Sequence, residues 1–484
     1  MTVRVRIAPS PTGYLHVGTA RAALYNYLFA RHNRGTFILR SDDTDTARST
    51  QEFSDSIVDS MKWLGLEWDE GIVVGGPQTT YRQSERLDRY REVAMQLVVE
   101  GKAYYSFASP EQLEEFRNQA RRDGTSPAYD GRFKVSQDEA QQRLAGGEKA
   151  TVRFAVPRPG ETVFNDVVRG DVRFDHIQVD DFVILRSNGT PTYHLASTVD
   201  DVDFAITHVI RGEDILSSTP KHILLTKAMG AEPPIYAHLP LLMGPDGKKL
   251  SKRHGHTALA AYRDAGFLPA AVVNYLALLG WSPGDDDTVI DLAGMVEKFD
   301  LNRVSKNPAI FDVEKLEWMN GVYIRDMDRS AFVSLIEPLV EDDLGRQLSP
   351  EESEVLAAMA PLVQERTKRL TEIAPQMRFL FVDVSYDETS WQKVMTKPDA
   401  ARAVSAAAQA LSSLSDFSTE SVEQALRAML ESEDLNPRKG FQPLRVAISG
   451  SSVSLPLFES ITALGRDTTL ARLNTVTELL AADH

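Results

Sequence analysis

Apolar positions recur with two different periods along the first sixty residues. Val3, Val5 and Ile7 alternate with Arg4 and Arg6, the period of two that a pleated strand imposes. Residues 19–31 carry Leu24, Tyr27 and Leu28 at helical spacing. Between them lies Pro9-Ser10-Pro11-Thr12-Gly13-Tyr14-Leu15-His16-Val17-Gly18-Thr19, whose Pro and Gly residues suit a loop. The pattern predicts a strand, a loop and a helix that starts near Gly18. A second strand is expected over 36–40, then the loop Ser41-Asp42-Asp43-Thr44-Asp45. Ser49-Thr50-Gln51-Glu52 predicts a capping box ahead of Phe53, Ile57 and Met61, which share one helical face.

Further along, residues 81–100 predict a helix, and from Tyr104 polar, Arg-rich helical segments alternate with short strands such as 151–156. Apolar strand material returns at 182–185 and 205–210, with Tyr193 and Arg211 at the ends of these elements. Asn274 to Trp281 begins a helical module that runs to about 320. From 321 helical spacing dominates, as in Val355, Met359, Leu362 and Arg366, and 401–414 is rich in Ala.

Alternating strands and helices imply an α/β fold, in which ligands bind at the carboxyl ends of strands against helix N-termini. Gly18 would let a nucleotide approach the backbone, and His16 could donate to a phosphate oxygen. Alone, so short a pattern also describes a turn with a helix-capping Thr and a solvated His. Asp246-Gly247-Lys248-Lys249-Leu250-Ser251-Lys252-Arg253-His254-Gly255 is likewise, alone, a charged loop. The three Asp at 42, 43 and 45 fit a metal site or a turn.

Composition narrows the class. A chain of 484 residues is too long for one core and implies two to four domains. With 42% hydrophobic and 25% charged residues it reads as soluble and globular. There are no cysteines, so disulfides and thiolate metal sites are excluded. No stretch approaches the roughly eighteen apolar residues of a membrane helix and none resembles an apolar signal, so a cytoplasmic protein without membrane contact is expected. The formal net charge of −16 speaks against a protein that coats nucleic acid nonspecifically. Local basic tracks remain at 117–122 and 366–369, which serve equally as solvated helix faces.

Taken together, S-P-T-G-x-x-H-x-G-T and K-L-S-K-R resemble the "HIGH" and "KMSKS" signatures of class I aminoacyl-tRNA synthetases. With R-S-D-D-T-D at 40–45, Y-D-G-R at 129–132, P-T-Y-H-L-A at 191–196 and R-G-E-D-I-L-S-S-T-P at 211–220, the chain resembles the bacterial glutamyl-tRNA synthetases. The likeness rests on specific motifs over about 1–320 and on length and helical character beyond. It implies a Rossmann-type catalytic domain with an inserted α/β acceptor-binding domain, followed by an all-α anticodon-binding domain. The implied divisions are 1–99 and 191–240 for the catalytic halves, 100–190 for the insertion, 241–320 for the lysine loop and connecting module, and 321–484 for the anticodon end.

The resemblance also implies substrates and roles. ATP with Mg²⁺ would meet Pro9, Ser10, Thr12, Gly13, His16, Gly18, Thr19 and Lys252. Glutamate would meet Arg6, Ser10, Asp42, Tyr193 and Arg211, and His16, Lys249, Ser251 and Lys252 would serve catalysis. Most relatives have Glu where Asp42 stands, and many have Asn where Ser197 stands. Many hold a cysteine-ligated zinc after a G-K-A-Y-Y stretch; here Ser106-Phe107-Ala108-Ser109 follows, and no protein-bound zinc or other resident metal is expected. The implied partners are tRNA(Glu), with tRNA(Gln) left open, and the implied working form is a monomer. A guanidinium pairs bidentately with a carboxylate, so two arginines suit glutamate over glutamine.

Other classes share parts of this pattern. A nucleotidylyltransferase uses a similar histidine loop but has no use for the insertion or the helical extension. A noncatalytic tRNA-binding paralogue would keep the extension and lose the lysine loop. A glutaminyl enzyme shares the catalytic signatures, but its relatives tend to end in β-barrels. Lys252→Ala is expected to slow turnover by roughly 10² to 10³ with little change in tRNA binding, if the lysine stabilises charge on the phosphates. Single-turnover charging checks this, and unchanged turnover would remove Lys252 from the mechanism.

Overall fold

Two arginines alternate with apolar residues at the start of the chain, and the apolar ones go inward. In the computed structural model, which describes residues 2–45, 47–251, 257–284 and 287–482, Val5 and Ile7 are buried in strand β1 (Arg4–Ile7). Helix α1 (Val17–His32) starts within a residue of the expected Gly18, but His16 and not Thr19 caps it. Strand β2 (Thr36–Leu39) pairs in parallel with β1. Helix α2 (Gln51–Trp63) is capped by Thr50, which accepts from the Phe53 amide, so the expected Ser49/Glu52 box does not form. Glu52 accepts instead from the Tyr14 hydroxyl. The short β3 (Glu70–Gly71) extends the parallel set to β1-β2-β3.

Helix α3 (Leu87–Val99) leads to β4 (Ala103–Ser106), α4 (Pro110–Asp123), α5 (Gln137–Ala145), β5 (Thr151–Phe154), β6 (Glu161–Asp166), β7 (Gly170–Asp175) and β8 (Val183–Leu185). β4, β5 and β8 form an antiparallel sheet, and β6 and β7 form a hairpin. Helix α6 (Tyr193–Asp203) begins at Tyr193, which therefore opens a helix and does not end a strand. Its Leu195 and Val199 pack with Val93 and Leu97 of α3 and with Phe154 and Ile184 of the antiparallel sheet.

β9 (His208–Gly212) comes later than the apolar run at 205–210 suggests, since Ala205 takes a left-handed turn (φ 52°) first. After α7 (Thr219–Ala228), β10 (Ile235–Leu239) pairs in parallel with β9 on one side and with β6 on the other, giving the order β9-β10-β6-β7. The Thr207 amide donates to the Arg4 carbonyl at 2.9 Å, which sets the β9 side against β1. The chain thus winds outward from β1 through β2 and from β9 through β10. A crevice opens at the carboxyl ends where these two directions diverge.

What holds the walls of that crevice is a buried charge network. Arg40, directly after β2, is fully buried; its Nε and Nη1 donate to Asp42 and Asp201, each at 2.7 Å, and its Nη2 donates to Ser197 at 3.1 Å. Asp201 also takes Nε and Nη2 of Arg6, at 3.0 and 3.2 Å. Neighbouring Asp200, equally buried, accepts from Arg86, Gln83 and Tyr90.

The chain divides into two compact units, Met1–Asp264 with Pro269–Val313, and Ala265–Leu268 with Glu314–His484. The expected internal divisions near 100, 190 and 240 all lie inside the first unit. Among the described residues the second unit has helices and no strand. One core in it gathers Val404, Leu411, Leu426, Leu444, Leu473 and Val476 from its last four helices. In the helix Pro350–Gln364 Met359 turns inward as expected, while Leu356 and Val363 take the inward places instead of Val355 and Leu362, Ala360 joins them, and Arg366 lies beyond the helix end. No helix among the described residues is long and apolar enough to cross a membrane.

Replacing Arg40 by Met would leave Asp42 and Asp201 short of a counter-charge, and breaking such a pair costs about 3–5 kcal/mol. The unfolding midpoint in urea should fall accordingly. An unchanged midpoint would mean that the carboxylates do not depend on Arg40.

Candidate active site

The crevice holds a cavity of about 460 Å³. Two sets of polar side chains line it. One comprises Arg6, Asp42, Tyr193, Ser197 and Arg211; the other comprises His16, Gly18 and Thr19 with Asp214 and Lys249. Residues nearly 250 apart in sequence therefore share one space.

In the first set, Arg211 is buried and held from three directions. Its Nε donates to His238 Nε2 at 3.1 Å, Nη1 to the Tyr193 hydroxyl at 3.1 Å and Nη2 to Thr219 Oγ1 at 2.9 Å. His238 Nδ1 lies 2.6 Å from Asp166 Oδ2, and burial holds this imidazole below its ordinary pKa. Arg6 has its Nε and Nη2 on Asp201, leaving Nη1 as the guanidinium nitrogen with no hydrogen bond to the protein among the described residues. Burial works against ionisation of Asp201, but Arg6 and Arg40 together hold it below the usual carboxylate range. Burial pushes Asp42 up to about 6 against the pull of Arg40. It remains mostly ionised at neutral pH.

In the second set, the Gly18 amide donates to His16 Nδ1 at 3.1 Å. That bond requires a lone pair on Nδ1 and so places the neutral ring's proton on Nε2. Burial, and then Lys249, lowers the His16 pKa. A Cβ on Gly18 would stand 3.3 Å from His16 Nδ1, so glycine keeps the cap undisturbed. Lys249 is mostly exposed, with Nζ 3.4 Å from Asp214 Oδ2. It sits on a turn closed by the Leu250 amide on the Leu242 carbonyl.

The remaining expected site residues divide as follows. Pro9, Ser10, Thr12 and Gly13 do not line the cavity; Pro9 receives the Asp42 amide on its carbonyl, and Ser10 receives that of Thr12. Ser251 is described but is not a lining residue, and Lys252 lies outside the described residues. The three Asp of the cluster are each taken up by a different partner: Asp42 on Arg40, Asp43 on Ser84, and Asp45 on Arg48. Among the described residues no group of three His, Cys, Asp or Glu is placed to hold a metal ion. The basic segments are partly neutralised locally, with Arg117 and Arg121 on Glu114 and Arg369 on Glu317 and Glu372.

Sequence reasoning missed Arg40, Asp166, Asp201 and His238. Two signals were available: the Asp200-Asp201 pair within the half-apolar α6, and a single His in the apolar strand Ile-Tyr-Ala-His-Leu.

A family model described as tRNA synthetases class I (E and Q), catalytic domain, matches residues 2–318, and one described as anticodon binding domain matches residues 331–477. The glutamate–tRNA ligase of Moorella thermoacetica is 45% identical over 476 residues, covering 98% of this chain and 97% of that protein. A glutamate–tRNA ligase of Dehalococcoides mccartyi is also 45% identical, over 97% of each. Among solved structures, a glutamate tRNA ligase from Elizabethkingia meningosepticum, described as in complex with its amino acid, matches with a TM-score of 0.87 at 35% identity. It covers 99% of this chain and 100% of that one.

Three imidazoles near the first set are neutral by burial: His238, His222, and His194, which burial and then Lys221 lower to about 4. In the unfolded chain a His titrates near 6.5. The stabilising contribution of neutral His194 is therefore complete above pH 6.5 and is lost as pH falls from there toward about 4. Asp42 runs the opposite way, its raised pKa favouring the folded state at low pH and losing that effect as pH rises through about 6. His194→Gln should accordingly lose less stability than the parent between pH 6.5 and 4, measured by thermal unfolding across pH. Parallel curves would show that His194 is not neutral in the fold.

Proposed function

The chain belongs to the glutamate and glutamine family of class I tRNA synthetases and attaches glutamate to its tRNA with ATP; we propose how the cavity's residues divide that work. The observation that carries the assignment is Arg211, held by His238, Tyr193 and Thr219 in the same cavity as Arg6 and the capping His16.

The glutamate side-chain carboxylate binds Arg211 and the open Nη1 of Arg6, with Tyr193 beside them. Asp42 receives the α-ammonium group, while Ser10, expected beside it, lies on the loop outside the cavity lining. An incoming glutamine would offer one acceptor and one donor where two guanidinium groups require acceptors. Buried donors left unpaired give discrimination of about 10⁴ or more.

ATP lies over the N-terminus of α1, where Gly18 and Thr19 admit the phosphates and Nε2–H of His16 donates to them. Pro9, Thr12 and Gly13 shape the loop that borders the nucleotide. Mg²⁺ arrives on the phosphates as part of this substrate and needs no dedicated protein cage. Lys249 and Lys252 neutralise charge as it grows on the departing pyrophosphate, and the Ser251 hydroxyl helps by donating a hydrogen bond to it. The glutamate α-carboxylate attacks the α-phosphorus in line, pyrophosphate leaves, and glutamyl-adenylate forms. The 2′-hydroxyl of the terminal tRNA adenosine then attacks the acyl carbon and releases AMP. No protein nucleophile takes part, so positioning and electrostatic stabilisation supply the rate.

Segment 100–190 holds the acceptor end of the tRNA, the module at 241–320 contacts its stem, and the helical unit reads the anticodon. Acceptance of tRNA(Gln) turns on contacts made by that last unit. The enzyme works in the cytoplasm as a monomer.

Charging assays with labelled glutamate and glutamine on purified tRNA(Glu) and tRNA(Gln) test the reading. Glutamate should load tRNA(Glu), with glutamine disfavoured by about 10⁴ in kcat/KM. Comparable glutamine charging would reassign the amino-acid pocket. ATP turnover on a small acceptor without any charging would favour a nucleotidylyltransferase.

A further inference from the structure

Arg211 owes its orientation to a histidine whose proton position is dictated from further back. His238 lies in β10 with its side chain fully buried, as is the Asp166 side chain at the end of β6. Arginine only donates hydrogen bonds. Nε2 of His238, 3.1 Å from Arg211 Nε, must therefore present a lone pair, and the ring proton must sit on Nδ1, facing Asp166 Oδ2 at 2.6 Å. The other oxygen of Asp166 is committed elsewhere: Oδ1 accepts from the amides of Val168, Arg169 and His238, at 3.0, 2.8 and 3.2 Å. Asp166 is thus fixed in rotation by three backbone donors and offers His238 a pure acceptor.

We propose that Asp166 is a positioning residue for glutamate selection, acting by holding His238 in the Nδ1–H form so that Nε2 can accept from Arg211. This rests on Arg211 being the arginine that binds the glutamate side chain.

The arrangement makes a near-isosteric change disruptive. In Asp166→Asn the three backbone amides require the side-chain oxygen on their side, which turns the NH₂ group toward His238 Nδ1. Nδ1 must then accept, the ring proton moves to Nε2, and two donors confront each other at Arg211. The Nε2–H turns to Thr219 Oγ1, 3.1 Å away, which in the parent accepts from Arg211 Nη2, so Arg211 loses its acceptor on His238 and shares the one on Thr219, and its set position loosens. His238→Gln, by contrast, keeps a donor for Asp166 and an acceptor for Arg211 with a similar spacing. It gives up the stacking of the imidazole on Tyr236, whose ring is 5.9 Å away and nearly parallel. A pairing role and a packing role therefore predict opposite orders of damage.

The experiment compares the full-length parent, D166N, H238Q and R211A in tRNA(Glu) charging, alongside ¹⁵N NMR of the histidine side chains, with the His238 signal assigned by its loss in H238Q. The expected result is that D166N raises KM for glutamate by about 10- to 100-fold, as losses of orienting partners do, with KM for ATP unchanged. H238Q should be the milder variant. The NMR should show His238 protonated on Nδ1 in the parent and on Nε2 in D166N. The proposal is overturned if D166N leaves the glutamate KM unchanged while R211A raises it, if H238Q is the more damaging, or if His238 already carries its proton on Nε2 in the parent. Should D166N fail to fold, the tautomer of the parent decides by itself. Should R211A leave the glutamate KM unchanged, the reading of Arg211 fails, and the tautomer change in D166N still tests the link between residues 166 and 238.

Discussion

A guanidinium with no exposure to water must be surrounded by acceptors, and Arg40 meets that demand with the Asp42 loop and with Asp201 and Ser197 of α6. Removing a charge this deep from water is expensive unless every donor is answered. The answer fixes more than Arg40. Asp201 can serve it only if α6 approaches the end of β2, and the same carboxylate then aligns Arg6 from β1. One buried cation thereby sets the distance between the strand that begins the chain and a helix nearly two hundred residues later. The cavity between them inherits its shape from that constraint.

The two sets of residues around the cavity are prepared differently. Arg211 and Arg6 are dry, saturated on most sides and preset, which suits recognition of a fixed carboxylate. Lys249 is exposed and weakly paired with Asp214, which suits the adaptable role proposed for it against phosphate charge. His16 stands between these conditions, with one nitrogen spent on the start of α1 and the other left with its proton. Rigid selection and adaptable charge compensation occupy opposite parts of one pocket's chemistry.

Much of this was legible in the residues, for identifiable reasons. The strand-loop-helix at the start follows from local periodicity, and His16 and Gly18 act through a contact only two residues long. Arg6, Asp42, Tyr193 and Arg211 do line the cavity, a grouping that came from resemblance and that spacing alone could not supply. The pairing of Arg6 with Asp201, and of Asp166 with His238, was not legible, since partners 195 and 72 residues apart leave no period in the chain. The same limit applies in the helical unit. There the inward places taken by Leu356 and Val363 instead of Val355 and Leu362 in Pro350–Gln364 reflect neighbours that the local pattern does not contain.

The hairpin of β6 and β7 belongs to the stretch between the two halves of the nucleotide fold, yet β6 pairs with β10 and ends on the carboxylate behind His238. The stretch expected to be an insertion, 100–190, is therefore not a cassette. A synthetase rebuilt by exchanging this stretch for a foreign one would also exchange part of the support of Arg211 in the central cavity.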